Sequence, residues 1–474
     1  MLLYISYKLQ CMLFNSYEFV FLFLPIVLLI YYWLGNRNKY DSATLWLIFA
    51  SLCFYGYWNY RYVPLLLLSI IFNYMIGAFI RKKDYKKGYL IVGLLGNLSL
   101  LAYYKYTGFF IEQINFISNT NLFIPEIVLP LGISFFTFTQ SAYLVDVYRG
   151  EVSGYSFKTY CLFVTIFPHL IAGPIIYHKD MIPQFNNKNN YKVNYDNLSK
   201  GIALFSMGLF KKTAIADNIS PWVGAIFSHY NQLNFLEAWA GAIGYTFQLY
   251  FDFSAYSEMA IGLGLMLNYK FPINFNSPYK SLSIIDFWRR WHMTLGTWVK
   301  SYLYIPMGGN RNGEFAKMRN LFLAMLIIGF WHGAGWTFII WGGIHGSLLM
   351  LNHNWRRLNF QLPKVVCWGL TFFSVVIAWV FFRAENVYQA MQILSSMFDF
   401  NSISTSVETW RMRKNVVNTW STIAGLGVLL CLPNPVIIID KFRPNWGWFA
   451  LTLVLLLVSF YQLNTYTEFL YFQF

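Results

Sequence analysis

The chain has 474 residues, of which 57% are hydrophobic, 21% aromatic and only 12% charged. A soluble protein of this length carries roughly twice that share of charged residues, and the mean hydropathy is positive at +0.43. The composition excludes a cytosolic enzyme, a disulfide-stapled secreted domain and a disordered chain. It indicates a protein whose main solvent is lipid.

The formal net charge of +15 would favour nucleic acid as the partner of a soluble protein. Here Lys and Arg are confined to short gaps between apolar runs, which is typical of membrane topology and of contact with anionic lipid headgroups. The five cysteines are scattered, without a CxxC pair or close Cys/His spacing. We therefore predict membrane lipids and no nucleic acid as partners, free thiols and no metal site.

Uncharged stretches set the number of predicted spans, because a membrane-crossing helix needs about 20 mostly apolar residues. Nine stretches qualify: 19–36, 42–60, 62–80, 88–104, 127–145, 159–178, 365–382, 415–439 and 444–467. The stretch 320–355 is uncharged over 36 residues and fits two spans or one re-entrant pair, whereas charges interrupt 201–269, which favours partial or interfacial helices. We expect an all-α polytopic protein with about 11 to 13 membrane-embedded helices.

The basic loop RKKDYKK at 81–87 predicts the orientation, because Lys and Arg concentrate on the cytoplasmic side. Counting back three spans places the N-terminus outside, and Lys441 and Arg443 before the last span place the tail ending in Phe474 outside as well. We expect no cleavable signal peptide. The natural start could be Met12.

Among the seven histidines, His332 has the most unusual surroundings. It lies in FWHGAGWTFIIWGGIHG, 330–346, inside the long uncharged stretch, and an ionisable group at such depth is costly enough that a functional role is the default hypothesis. Burial favours the neutral imidazole, which can accept a proton. The alternative is a core histidine bonded to a carbonyl. His345 would lie roughly 20 Å further along an unbroken helix, and we interpret it as a packing residue.

His292 lies in IIDFWRRWHMTLGTWVKSYLYIPMGGNR, 284–311. Its Trp and Tyr content is typical of a helix at headgroup level, so an anchoring role and a catalytic role both stay open. Six other polar residues lie in apolar surroundings and could line a polar passage or satisfy backbone groups freed by Pro and Gly. They are Gln140, Asp146, His169, Asp252, Ser254 and Glu258.

Six segments together resemble the membrane-bound O-acyltransferase family, in particular its bacterial branch that acts in alginate O-acetylation. They are LPLGISFFTFTQSAYLVDVYRG, GLFKKTAIADN, YFDFSAYSEMAIGLG, DFWRRWHMTLGTWVKSYLYIPMGGNR, FWHGAGWTFIIWGGIHG and AWVFFRAEN. The resemblance runs in order from about Met12 to Phe474, as one transmembrane domain, and leaves residues 1–11 outside as an N-terminal extension.

The resemblance implies a ring of tilted helices around a central funnel, with His332 as the catalytic histidine and His292 in the same funnel. Trp331, Trp291, Asp252 and His345 are candidate funnel-lining residues. It also implies an enzyme of the bacterial inner membrane that takes an acetyl group from a cytoplasmic thioester and delivers it outside for O-acetylation of a cell-envelope polysaccharide. Acyl-CoA, most simply acetyl-CoA, is the implied donor, with no bound cofactor.

The C-terminal sequence FLYFQF, 469–474, resembles terminal motifs in which a tyrosine carries the acyl group, which makes Tyr471 a candidate carrier that serves an extracellular serine acetyltransferase partner. The alternative is an aromatic anchor at the interface. D-alanyl transfer to teichoic acid and a non-catalytic transporter of an acylated solute also stay open, although no inverted repeat typical of carriers is visible. The acceptor polymer could be alginate, cellulose, peptidoglycan or another exopolysaccharide.

Overall fold

The computed structural model describes residues 12–82, 85–152, 154–171, 173–358, 360–403, 414–463 and 470, with the backbone alone for 414–418. Within these ranges the regular structure is helical. The α-helices are α1 (Leu24–Asn36), α2 (Tyr40–Asn59), α3 (Val63–Lys82), α4 (Lys86–Leu101), α5 (Thr107–Ser118), α6 (Ile133–Tyr148), α7 (Phe157–Thr165), α8 (Phe167–Leu170), α9 (His178–Asn186), α10 (Tyr195–Phe210), α11 (Asp217–Ser228), α12 (Phe235–Met266), α13 (Ile284–Arg290), α14 (Met293–Val299), α15 (Gly313–His332), α16 (Trp336–Trp355), α17 (Lys364–Arg383), α18 (Val387–Met397), α19 (Lys414–Leu430), α20 (Pro435–Asp440) and α21 (Trp446–Gln462).

Shorter turns of other helix types join or extend these helices. Short 3₁₀ segments cover Tyr60–Tyr62, Lys188–Tyr191, Tyr230–Gln232, Pro278–Lys280, Arg356–Leu358 and Phe400–Ser402. Wider π-helical turns cover Glu18–Phe23, Ala102–Tyr106, Lys211–Ala216 and Lys300–Tyr304. Because π-turns are rare and recur at functional sites, the turn that carries Lys211 and Lys212 is a candidate functional segment.

Four helical segments of the described residues are long and apolar enough to cross a membrane: Glu18–Asn36, Tyr40–Lys82, Lys364–Arg383 and Thr419–Asp440. The predicted all-α polytopic class is therefore confirmed. The count of about 11 to 13 embedded helices stays a prediction. Helix α15, for example, has 20 residues but is not among the four segments, because the charges near its beginning lower its mean hydropathy.

The chain forms two compact units built from interleaved segments. Unit 1 comprises Met1–Leu209, Glu258–Pro272 and Arg443–Val454, and unit 2 comprises Phe210–Ser257, Ile273–Phe442 and Leu455–Phe474. Helix α12 starts in unit 2 and ends in unit 1. The single domain predicted over 12–474 stays a prediction.

Polar side chains join the helices of unit 1. The amides of Asn73 on α3 and Asn97 on α4 bond to each other twice, at 2.9 Å each, and Asn97 also donates to Ser141 on α6. Gln140, a candidate for a polar passage, donates to Ser69 at 2.9 Å. In lipid such bonds replace the hydrophobic effect as the specific contacts between helices.

In unit 2, α15 and α16 pack as a helical hairpin with very close backbones. A Cβ at Gly329 would lie 2.3 Å from the carbonyl oxygen of Phe338, and one at Gly342 would lie 2.4 Å from that of Met325. Only glycine fits both positions, as at the small-residue crossings of membrane helices. The uncharged stretch 320–355 therefore belongs to two paired helices, α15 and α16, which fits either two spans or one re-entrant pair.

Candidate active site

His332 is the last residue of α15, immediately before the glycine turn of the hairpin. Its side chain is buried. The imidazole is enclosed by aromatic rings, with centroids 4.9 Å from Trp331, 5.3 Å from Trp341 and 5.2 Å from Phe382. His332 is thus buried among apolar rings within unit 2, and its depth in the membrane stays a prediction.

Trp341 on α16 lies between two histidines. Its ring is 5.3 Å from His332 and 4.8 Å from His345, which follows it by one helical turn. The turn after His332 reverses the chain, so the two histidines meet the same indole although 13 positions separate them in sequence. The separation expected for an unbroken helix does not apply here.

His345 is fully buried, and its contact with Trp288 shows which ring nitrogen carries the proton. Trp288 Nε1 lies 3.3 Å from His345 Nδ1, and because an indole nitrogen only donates, Nδ1 must accept. The ring is therefore neutral, with its proton on Nε2. Nε2–H has no hydrogen-bond partner among the described residues.

His292 lies at the break between α13 and α14, in the left-handed region with φ of 44°. A non-glycine residue in this conformation is uncommon, and such strain concentrates at functional sites. The imidazole is buried and packs edge-on against Phe253, at 4.9 Å between centroids. Its Nδ1 lies 3.0 Å from Asn274 Oδ1.

Asn274 fixes the tautomer of His292. The hydroxyl of Thr294 bonds to Asn274 Oδ1 at 2.9 Å and the backbone N–H of Thr294 points to the same atom at 3.4 Å. The backbone N–H can only donate, so Oδ1 is the acceptor and His292 Nδ1 carries the proton. His292 Nε2 keeps its lone pair and has no partner among the described residues.

One aromatic cluster connects these histidines. From His292 it runs through Phe275 to Trp291, with centroids 5.1 Å apart, and on to Trp379 at 5.0 Å. Trp379 stacks on Trp341 at 5.6 Å, and Trp341 contacts His332 and His345. The predicted residues His332, His292, His345, Trp331 and Trp291 all belong to this cluster. Their role as a funnel lining stays a prediction.

Asp252 lies on α12, fully buried, in an ion pair with Lys212 at 2.6 Å. Its Oδ2 accepts the backbone N–H of Leu470 at 2.9 Å. Two positions further along α12, Ser254 accepts a hydrogen bond from Lys211 at 2.7 Å. Tyr471, the candidate acyl carrier, lies outside the described residues.

Three residues of this arrangement have no place among the predicted site residues: Trp341, Asn274 and Lys212. Trp341 could have been found, since it precedes His345 by four positions and shares its helix face. Asn274 reaches His292 over 18 positions and Lys212 reaches Asp252 over 40. Lys212 lies in the quoted segment GLFKKTAIADN, but its pairing with Asp252 depends on the tertiary structure.

Residues 51–391 match the family described as MBOAT, membrane-bound O-acyltransferase family. The match spans α15, α16 and both sides of the α13–α14 break, so it contains His332, His345 and His292. The resemblance predicted from six segments is therefore confirmed.

Individual relatives are similar over most of the chain. A peptidoglycan O-acetyltransferase of Helicobacter pylori is 47% identical over 426 residues, which cover 83% of this chain and 81% of that protein. A probable alginate O-acetylase of Pseudomonas putida is 39% identical over 98% of this chain and 100% of its own length. A teichoic acid D-alanyltransferase of Streptococcus thermophilus is 28% identical over 49% of this chain and 59% of its own. The chain belongs to the membrane-bound O-acyltransferase family and is an acyltransferase enzyme.

Proposed function

We propose that this enzyme transfers an acetyl group from a cytoplasmic thioester, acetyl-CoA, across the membrane for O-acetylation of a cell-envelope polysaccharide. The observation that carries the proposal is the burial of His332 in an aromatic cluster with two further histidines, in a chain 47% identical to a peptidoglycan O-acetyltransferase. Acetyl transfer is favoured over D-alanyl transfer because the O-acetylating relatives cover far more of the chain.

His332 acts as the general base in this proposal. Its neutral imidazole takes the proton of an acceptor hydroxyl as the hydroxyl oxygen attacks the thioester carbonyl. The new C–O bond forms, the C–S bond breaks, and the proton passes to the departing thiolate of CoA. The surrounding indole and phenyl rings exclude water, which suppresses hydrolysis of the thioester.

His292 has a separate, orienting role. The hydrogen bond from Nδ1 to Asn274 leaves Nε2 as an acceptor, so this ring can accept a hydrogen bond from an N–H or O–H group of a bound substrate other than the reacting hydroxyl. A second histidine in this role explains why a strained, left-handed backbone is kept at position 292. His345 packs against Trp341 and so supports the indole that contacts His332.

Tyr471 is the proposed first acceptor. A phenol is more acidic than an alkyl alcohol, so a tyrosyl ester stays activated for a second transfer. In that step a serine hydroxyl of an extracellular acetyltransferase partner attacks the tyrosyl ester, takes the acetyl group and returns the proton to the phenolate. The partner then esterifies the polysaccharide. The tail would face outside, as the charge pattern predicts.

The proposal is tested with the full-length protein in lipid vesicles and acetyl-CoA labelled in the acetyl group. We expect free CoA and label on the C-terminal peptide, located at Tyr471 by mass spectrometry. Tyr471→Phe should lose the label, whereas Tyr461→Phe, which alters an exposed tyrosine of α21, should keep it.

Three results would count against the proposal. Neither CoA release nor labelled protein would favour a transporter that makes and breaks no bonds. Labelling from a D-alanyl thioester of a carrier protein, without labelling from acetyl-CoA, would favour the D-alanyl reaction. Label on the protein in the Tyr471→Phe variant would show that another residue is the acceptor.

A further inference from the structure

A buried cluster of charges lies in unit 2 beside the histidines. The Nζ atom of Lys212 is 2.8 Å from Asp217 and 2.6 Å from Asp252, and all three side chains are buried. Lys212 reaches both carboxylates from the π-helical turn Lys211–Ala216. Ionisable groups at such depth are expensive, and removal of one partner from a buried pair is strongly destabilising.

Asp252 has a further hydrogen bond, to the main chain of the C-terminal sequence. Asp217 and Asp252 share the ammonium group of Lys212, and Asp252 also accepts the backbone N–H of Leu470 at 2.9 Å. Leu470 is itself buried, with 6% of its surface exposed. A charge-assisted bond between a buried carboxylate and a backbone N–H is among the stronger hydrogen bonds of a protein.

This bond joins the C-terminal sequence to the histidine cluster. Phe253, the residue after Asp252 on α12, packs against the ring of His292 at 4.9 Å between centroids. Tyr471 follows Leu470 by one peptide bond. The bond uses the main chain of residue 470, so it holds that residue without depending on the side chain there.

We propose that Asp252, held in place by Lys212, is the docking residue of the C-terminal tail and positions Tyr471 for acetyl transfer. The inference rests on the proposed carrier role of Tyr471. Asp252 is a positioning residue in this assignment and takes no proton. Asp252 is buried and shares the one ammonium group of Lys212 with Asp217. Such a carboxylate needs a further donor, and the backbone N–H of Leu470 supplies it.

Docking is tested by hydrogen exchange of the C-terminal peptide, with the full-length protein in lipid vesicles. In Asp252→Ala the amide of Leu470 loses its acceptor, and we expect its exchange to be about 10- to 100-fold faster. Asp252→Asn retains a carbonyl acceptor and should give an intermediate rate. Asp217→Asn is the matched control, since it removes the other carboxylate of Lys212 and leaves the bond to Leu470.

The same variants are then assayed with labelled acetyl-CoA. We expect Asp252→Ala to lower the rate of Tyr471 acetylation by about 10- to 100-fold and to leave the KM for acetyl-CoA unchanged. Equal loss in Asp217→Asn and Asp252→Ala would overturn the proposal, because it would show a merely structural ion pair.

Failure of this inference and failure of the carrier role give different results. If Asp252→Ala exchanges faster at Leu470 and Tyr471 is not acetylated even in the unaltered protein, the carrier role fails and the docking stands. If Tyr471 is acetylated at the same rate in Asp252→Ala as in the unaltered protein, the carrier role stands and the docking role is overturned.

Discussion

Each of the two units contains buried histidines, but their hydrogen bonding differs. In unit 1, His178 bonds to Asp146 through Nε2 and to Tyr155 through Nδ1, at 2.9 Å each. His169 bonds to the carbonyl of Pro174 at 2.8 Å and contacts Thr139 at 3.4 Å. Both ring nitrogens of each are therefore occupied.

In unit 2, His292 and His345 pack against aromatic rings and have fewer hydrogen bonds. His292 and His345 each use one ring nitrogen, and the other has no partner among the described residues. Their tautomers are opposite: Nε2 has a lone pair in His292 and carries the proton in His345. A histidine with both nitrogens bonded is part of the scaffold, whereas one with an open nitrogen can bind or move a proton.

The largest expected effect is on the rate of acetyl transfer when His332, the proposed general base in unit 2, is replaced. His332→Ala should lower acetyl transfer by about 100- to 10,000-fold, the usual contribution of a general base, because no other group then takes the proton of the acceptor. The measurement is the rate of CoA release and of protein labelling from acetyl-labelled acetyl-CoA in lipid vesicles. The thermal stability of the detergent-solubilised variant is the control. Activity above a tenth of the unaltered rate would contradict the assignment.

In unit 1 the expected effect is on stability. His178→Ala removes a buried partner of Asp146 and should lower the free energy of unfolding by about 1–3 kcal/mol. The protein that remains folded should retain its turnover number. Thermal unfolding and activity per folded molecule are measured on the same preparation. A normal melting temperature with lost activity would instead place His178 in the chemistry.

The hairpin that brings His332 and His345 to one indole gives a third test. Gly342→Ala introduces a Cβ 2.4 Å from the carbonyl oxygen of Met325 and should destabilise the protein by about 1–3 kcal/mol through overpacking. Gly343→Ala is the matched control, because its Cβ would meet only Leu326, at 3.6 Å. Equal melting temperatures for the two variants would contradict the close crossing.

The smallest expected effect concerns the tautomer of His292. Asn274→Ala removes the acceptor of Nδ1–H and should lower acetyl transfer by about tenfold, since the ring can then turn or change tautomer. Asn274→Asp keeps an acceptor oxygen and should restore most of the rate. If Asn274→Asp is as slow as Asn274→Ala, the amide has another function, such as donation through Nδ2.

Much of this protein is determined by its sequence alone. Apolar runs longer than a bilayer requires fix the all-α membrane class, since only helices satisfy their own backbone groups in lipid without closing a barrel. The motifs around His332 and His292 indicate the family, and the lack of charge around His332 predicts its burial in apolar surroundings. These inferences depend on local composition and on short segments, which are visible without a fold.

The tertiary structure decided what each polar side chain bonds to. The glycine hairpin places His332 and His345 against the same indole, that of Trp341. Asn274 sets the tautomer of His292, and Leu470 reaches Asp252 across 218 positions. Each of these contacts joins residues far apart in the chain, and hydrogen bonding and close packing depend on distances below about 4 Å. Sequence periodicity indicates which face of a helix is buried, but only the packed structure shows which partner meets it.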